Sequence, residues 1–356
     1  MYASPRKLNN ATHGVLNRVA SHVAMVYWPT NNQTCLRSPR LQIMPDISIT
    51  RRTWLARAAG AAIAIPHLPT TTLMAVNRPK FRIVDPHVHV WKNDLRYPWP
   101  AELTSPPKED ALPETLLKLM AEHGVEKTVI VHVIYYRWDC RYAADAVKHD
   151  PDKFAGVCRV NPESDDAVSQ LNHWVAEGLR GVRLSPGIGP SGDWINDRRR
   201  MDAIWSRASE LRVPMCVLCP VGRLPDVEPI VQRYDGRLDV CIDHMSDSPI
   251  DKPDELKKLL ALARYPRVYV KLSHLWSLSR EPYPYRDTHE QVKRLYDTFG
   301  PQRLMWGTDW PEVEKYCGYA RALALYRDEI KFFNDDDRRW ILGETALKLW
   351  PFTASS

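Results

Sequence analysis

Two histidines with one residue between them open the chemically informative part of this chain, in Ile83-Val84-Asp85-Pro86-His87-Val88-His89-Val90-Trp91. Side chains alternate along a strand, so His87 and His89 share a face and both imidazoles can converge on one ion or one substrate oxygen. A lone histidine would read as a packing residue; a pair at the end of an apolar run reads as a site. A carboxylate arrives in a similar setting much later, in Leu304-Met305-Trp306-Gly307-Thr308-Asp309-Trp310-Pro311. Gly307 permits close backbone approach, and Asp309 could bind a metal through one oxygen or take a proton from an attacking water. A helix cap is the structural alternative for Asp309.

Other apolar runs also end in polar residues. In Asp239-Val240-Cys241-Ile242-Asp243-His244-Met245 only one of Asp243 and His244 looks inward, unless the strand has already ended. We take His244 as ligand or substrate hydrogen-bond donor, with Asp243 packing or orienting it. Arg183 with Ser185, and Lys271 with Ser273, each share one face of a run. A basic residue inside a fold must find an anion, so Arg183 is assigned to the substrate and Lys271 to the substrate or an internal ion pair. His132 is open between lining a pocket and packing, while Cys219 reads as structural. Tyr135, Tyr136, Arg137 and Trp138 in one loop, with Trp91, Trp276 and Trp310, could wall a ring-shaped substrate or pack on one another as a lid.

Such residues need a scaffold that gathers distant strand ends. Short β-branched or apolar runs recur from residue 81 onward, each followed by a charged stretch with helical spacing. The predicted strands are 81–90, 127–134, 154–160, 179–185, 213–219, 238–244, 268–273 and 303–309. Helical patterns include 112–123, 167–177, 198–211, 254–265 and 289–299, with a closing segment at 335–349. Eight such units suit a (β/α)₈ TIM barrel. An open doubly wound sheet competes, but no Gly-rich phosphate turn follows the first strand. A barrel places its chemistry at the C-terminal strand ends, where these polar residues fall.

The 356 residues are 44% hydrophobic and 26% charged, which permits a globular core and argues against wholesale disorder. The net charge of +6 is misleading, because residues 1–80 hold ten Lys and Arg against one acid, Asp46. The remainder is slightly acidic, so no nucleic-acid partner is expected. Residues 1–43 lack periodicity and read as disordered or as a spurious upstream extension. Residues 44–78 carry Arg51-Arg52 before a weakly apolar stretch at 58–66 and read as a twin-arginine export signal and linker. That stretch is far short of the roughly twenty residues needed for a membrane span, and none is expected. Residues 79–356 are the barrel domain. The expected location is periplasmic if the signal operates and cytoplasmic otherwise. Cys216 and Cys219 lie three apart, on opposite strand faces, which argues against a structural zinc site.

In order along the chain, Val84 to Trp91, Gly181-Val182-Arg183-Leu184, Ile242-Asp243-His244, Val270-Lys271-Leu272-Ser273 and Trp306 to Pro311 resemble the amidohydrolase superfamily. Within it they resemble the lactonase-type, amidohydrolase-related branch. The resemblance implies a distorted TIM barrel and hydrolysis of a small cyclic ester, a sugar lactone or a dicarboxylate-type ring lactone. It also implies His87 and His89 as first-strand site residues, His244 as the later histidine and Asp309 as the catalytic carboxylate. The chain departs from the wider superfamily in lacking a histidine on strand five and in having Arg183 in place of a bridging lysine. A binuclear centre is therefore not expected. The expected cofactor is one divalent ion, zinc or manganese, on His87, His89 and Asp309, with a metal-free site as the alternative. The expected reaction is water addition to an ester carbonyl with Asp309 as base and Arg183 holding a substrate carboxylate or hydroxyl. A non-hydrolytic decarboxylase of the same superfamily and a silent ligand-binding barrel are the other readings. A small molecule is the expected partner, with a homo-oligomer left open.

Overall fold

The computed structural model describes residues 81–352 apart from 187–194 and 196. The expectations for 1–43 and 44–78 lie outside the described residues.

Eight strands form one parallel sheet in chain order: β1 (Val84–Val88), β2 (Lys127–Val131), β3 (Phe154–Arg159), β4 (Val182–Leu184), β5 (Met215–Val217), β6 (Val240–Ile242), β7 (Val268–Lys271) and β8 (Leu304–Met305). They are buried almost throughout, which is why they read as continuous apolar runs. Between and after them lie α1 (Pro113–His123), α2 (Arg141–His149), α3 (Ala167–Ala176), α4 (Arg198–Leu211), α5 (Leu224–Arg233), α6 (Leu256–Leu260), α7 (Leu275–Leu278), α8 (His289–Phe299), α9 (Gly318–Ala324), α10 (Asp335–Arg339) and α11 (Thr345–Leu349). The predicted helix at 254–265 is α6 prolonged by a 3₁₀ turn, and 335–349 is interrupted by a π turn at Trp340–Glu344. No helix among the described residues is long and apolar enough to cross a membrane.

The barrel closes unevenly. At the C-terminal end of β1 the ring is completed by His89 N–H donating to Trp310 O at 2.7 Å and Asp309 N–H donating to His87 O at 2.9 Å. Asp85 reinforces this seam, accepting from Thr308 Oγ1 at 2.6 Å and Thr308 N–H at 3.2 Å. Burial still pushes the Asp85 carboxyl up to about 6. At the other end of β1 the C-terminal segment wedges in. Trp306 N–H donates to Ile341 O, and its indole N–H is shared between Val84 O and Leu342 O. Gly343 makes this fit, because a Cβ there would lie 2.1 Å from the carbonyl oxygen of Arg82.

An apolar floor of Val84, Val129, Val131, Val157, Cys216, Cys241, Tyr269 and Met305 packs on Trp350. The register of β1 slips between Asp85 and Val88, a bulge of the kind that re-aims side chains beside functional sites. The strands are shorter than predicted: β4, β5 and β6 have three residues and β8 has two. His89, His132, Ser185, Asp243, His244, Ser273 and Asp309 therefore follow the last paired residue of their strands, where the backbone is free to turn.

Candidate active site

The loops after β6, β7 and β8 hold their polar residues in left-handed backbone. His244, Met245, Ser246 and Asp247 have φ of 52°, 51°, 52° and 46°, while His274 has 73° and Asp309 has 55°. Each non-glycine residue in that region costs roughly 1–2 kcal/mol. Strain of this kind persists where surrounding structure enforces it, most often at functional sites.

His87, His89 and Asp309 meet. Oδ1 of Asp309 lies 3.5 Å from His87 Nε2 and 3.1 Å from His89 Nε2. The Nδ1 of His89 is 2.6 Å from Val131 O and so must donate, which leaves a neutral ring's Nε2 with a lone pair towards Asp309. His87 is fully buried, and burial followed by the nearby Lys271 charge lowers its pKa well below the ordinary value.

His274 joins them, a residue that strand alternation does not single out. Its Nε2 donates to Asp309 Oδ2 at 2.7 Å, and its Nδ1 is 3.5 Å from Asp247 Oδ1. Burial opposes its charge, but Asp309 and Asp247 prevail and raise its pKa to about 9. Burial likewise favours a neutral Asp309, and His274 overcomes it, holding that carboxyl well below the usual range. The ring of His274 stacks on His244 at 3.5 Å and 4°. His244, kept neutral by burial and the adjoining His274 charge, bonds Ser273 Oγ through Nδ1 at 2.7 Å. The one signal for His274 in the sequence is its place, one residue beyond the predicted end of the seventh strand.

Beneath these groups Asp243 accepts from Arg183 Nε at 2.8 Å and pairs with Lys271 at 3.0 Å. Burial works against its ionisation, but Lys271 and Arg183 hold its pKa well below the ordinary value. Both Asp243 and His244 are buried at the site because β6 ends at Ile242, and Asp243 serves Arg183 and Lys271 where an orienting role for His244 was expected. Lys271 is the internal ion-pair residue of its two expected roles: it is fully buried, between Asp243 and His87 Nδ1 at 3.0 Å. Arg183 spends Nε on Asp243 and is 4% exposed.

The remaining candidates lie among other partners. His132, which burial and then Arg159 lower to about 3, donates Nε2–H to Arg137 O at 3.2 Å. Arg137 bonds Glu102 through Nε at 3.1 Å. Trp91 donates its indole N–H to Glu109 O and meets Tyr135 edge-on at 5.5 Å, while the Trp310 backbone closes the barrel. Trp276 lies between His274, at 4.6 Å, and the half-exposed Tyr316, at 4.1 Å.

A divalent ion fits the first cluster. His87 Nε2 and Asp309 Oδ1 are sealed from solvent without a hydrogen-bond partner among the described residues. A His87 donating Nδ1–H to Asp243 Oδ1, 3.5 Å away, would turn its Nε2 lone pair towards Asp309, although Lys271 favours the opposite tautomer. In the Nδ1–H tautomer of His87, two imidazole lone pairs and a carboxylate oxygen would face one point and suit a cation with positions left for water and substrate. His244, His274 and Asp309 also lie close together, but parallel rings aim their lone pairs along parallel planes and do not converge. Cys216 approaches Cys241, its register partner on β6, and not Cys219; Asp243 beside them is already held by two cations.

Imidazoles and a carboxylate gathered at the C-terminal mouth of a (β/α)₈ barrel define a hydrolytic type of enzyme site. The chain belongs to the amidohydrolase family, whose model (Amidohydro_2) matches residues 84–352. It is 31% identical over 280 residues to the L-fucono-1,5-lactonase of Burkholderia ambifaria, covering 75% of this chain and 94% of that protein. It is 29% identical over 251 residues to the 4-sulfomuconolactone hydrolase of Hydrogenophaga intermedia, with 68% and 78% covered. The fold matches a probable 2-pyrone-4,6-dicarboxylic acid hydrolase from Acinetobacter baumannii at a TM-score of 0.65 and 20% identity, over 75% of this chain and 98% of that one.

Proposed function

We propose that this protein opens a small cyclic ester by adding water to its carbonyl carbon. The meeting of His87, His89 and Asp309 around one buried point carries the reading. The named activities of the two sequence relatives, a sugar lactonase and a sulfomuconolactone hydrolase, support it. A zinc or manganese ion held by those three residues would supply Lewis-acid polarisation of the ester carbonyl.

Asp309 offers Oδ1 to the attacking water while His274 holds Oδ2. Because its pKa is held so low, it accepts the proton as the new C–O bond forms and does not deprotonate free water beforehand. The adduct then breaks its ring C–O bond, and the departing oxygen takes up the proton that Asp309 received. His244 stands beside this path as a neutral imidazole able to hydrogen-bond the substrate. Hydrolysis of a lactone panel, followed by proton release, tests the reading. Asp309→Asn should lower turnover by about 10²–10⁴-fold. Undiminished hydrolysis removes Asp309 from the mechanism, and inert lactones remove the reaction.

We also propose export, supported by Arg51-Arg52 and the apolar stretch at 58–66. Mass measurement of the mature N-terminus checks it; a full-length product confined to the cytoplasm sinks it.

A further inference from the structure

Arg159 ends β3, its Cα in register with Arg183 on β4, and the two side chains are 2% and 4% exposed. Its Nη1 donates to Ser185 Oγ at 3.0 Å and its Nε to His132 O at 3.2 Å. Among the described residues its Nη2 has no hydrogen bond, and no carboxylate lies within ion-pair distance. Asp243 acts on it only from farther away, already engaged by Arg183 and Lys271. Burial lowers the Arg159 guanidinium to about 9, so it remains charged at neutral pH. Arg183 and Lys271 thus share one carboxylate, and Arg159 beside Arg183 has none within ion-pair distance among the described residues. A buried charge without a counter-ion is a heavy structural liability, and an apolar side chain would fill the position better. The imbalance has a use if the missing anion arrives with the ligand. The position suits that: β3 is three strands round the barrel from β8, so a bound anion there keeps away from Asp309. His132, whose carbonyl Arg159 holds, also feels the His89 ring.

We propose that Arg159, with Ser185 and the neighbouring Arg183, anchors an anionic group of the substrate, so that the ring opened is a lactone bearing a carboxylate or sulfonate and not a neutral sugar lactone. This rests on the lactonase reading of the same site and names its substrate class. The fork of guanidinium donors matches a planar carboxylate, which a lysine would bind only as a point charge.

The test is steady-state kinetics of the wild type, Arg159→Met and Arg159→Lys on 2-pyrone-4,6-dicarboxylate, 4-sulfomuconolactone and L-fucono-1,5-lactone. Melting curves and calorimetric titration with pyridine-2,4-dicarboxylate accompany it. The wild type should prefer the anionic lactones, and Arg159→Met should lower their kcat/KM by about a hundredfold, chiefly through KM. The loss on the anionic lactones should exceed any loss on the neutral lactone by at least about thirtyfold, the melting temperature should hold or rise, and Arg159→Lys should recover part of the loss. Preference for the neutral lactone, or equal losses on neutral and anionic rings, overturns the proposal. If no lactone is hydrolysed the lactonase reading fails, and the titration still decides: dicarboxylate binding lost in Arg159→Met supports the anion site, whereas unchanged or absent binding refutes it. Should Arg159→Met fail to fold, the wild-type preference and the kinetics of Arg159→Lys decide between the two outcomes.

Discussion

His274 Nε2 donates to Oδ2 of Asp309 at 2.7 Å, and the other oxygen of that carboxylate is left facing His87 and His89. One oxygen fixes the group and the other is kept for chemistry. His274→Gln should therefore lower kcat by about ten- to a hundredfold without abolishing it. Losing the cation lets the Asp309 pKa rise towards its ordinary value, so the acid limb of the kcat/KM profile should move to higher pH. An unmoved acid limb would separate His274 from the function of Asp309.

The same pair makes stability depend on pH in metal-free protein. His274 is raised from about 6.5 to about 9, so its contribution is complete below the lower value and lost as pH climbs through the upper one. Asp309 is depressed, so its contribution holds above the unfolded carboxyl range and disappears as pH falls through the folded value. The His274 contribution corresponds to about 3 kcal/mol. Melting temperatures should decline between pH 6.5 and 9 in the wild type. They should decline much less in His274→Gln, and parallel curves would contradict this.

Metal uptake can be read without turnover. Chelator-treated protein titrated with zinc or manganese should bind one ion per chain, measured by elemental analysis after desalting. His89→Ala and Asp309→Asn should each weaken uptake by at least about tenfold, since each removes a donor. Equal uptake by the variants would place the ion elsewhere.

Gly343 tests the uneven closure. Gly343→Ala sets a Cβ against the Arg82 carbonyl, backbone against backbone, where no rotamer can yield. A loss of about 1–3 kcal/mol, seen as a lower midpoint in denaturant, is expected. A neutral result would mean that the wedge between β1 and the C-terminal segment gives way easily.

The spacing of His87 and His89, the eight buried runs and the acid after the last of them are legible in the chain because burial and alternation are local properties. A continuous apolar run reports that a strand is covered on both faces without needing to know by what. Where each strand stops is not legible. The spacing extends β6 to His244, yet pairing ends at Ile242, and that difference lets Asp243 and His244 both sit inside. His274 escapes notice for the same reason, since it lies just past a strand end in a left-handed conformation that no period encodes.

The sequence alone determined the type of scaffold and the two segments that open and close its ring. Only the tertiary structure decided who faces whom across the mouth: that Lys271 is spent on Asp243 and His87, that His274 holds one oxygen of Asp309, and that Arg159 is buried with no acid at ion-pair distance among the described residues. These are contacts between strands far apart in the chain, set by register and closure. Local patterning carries no information about the charge that waits on the opposite wall.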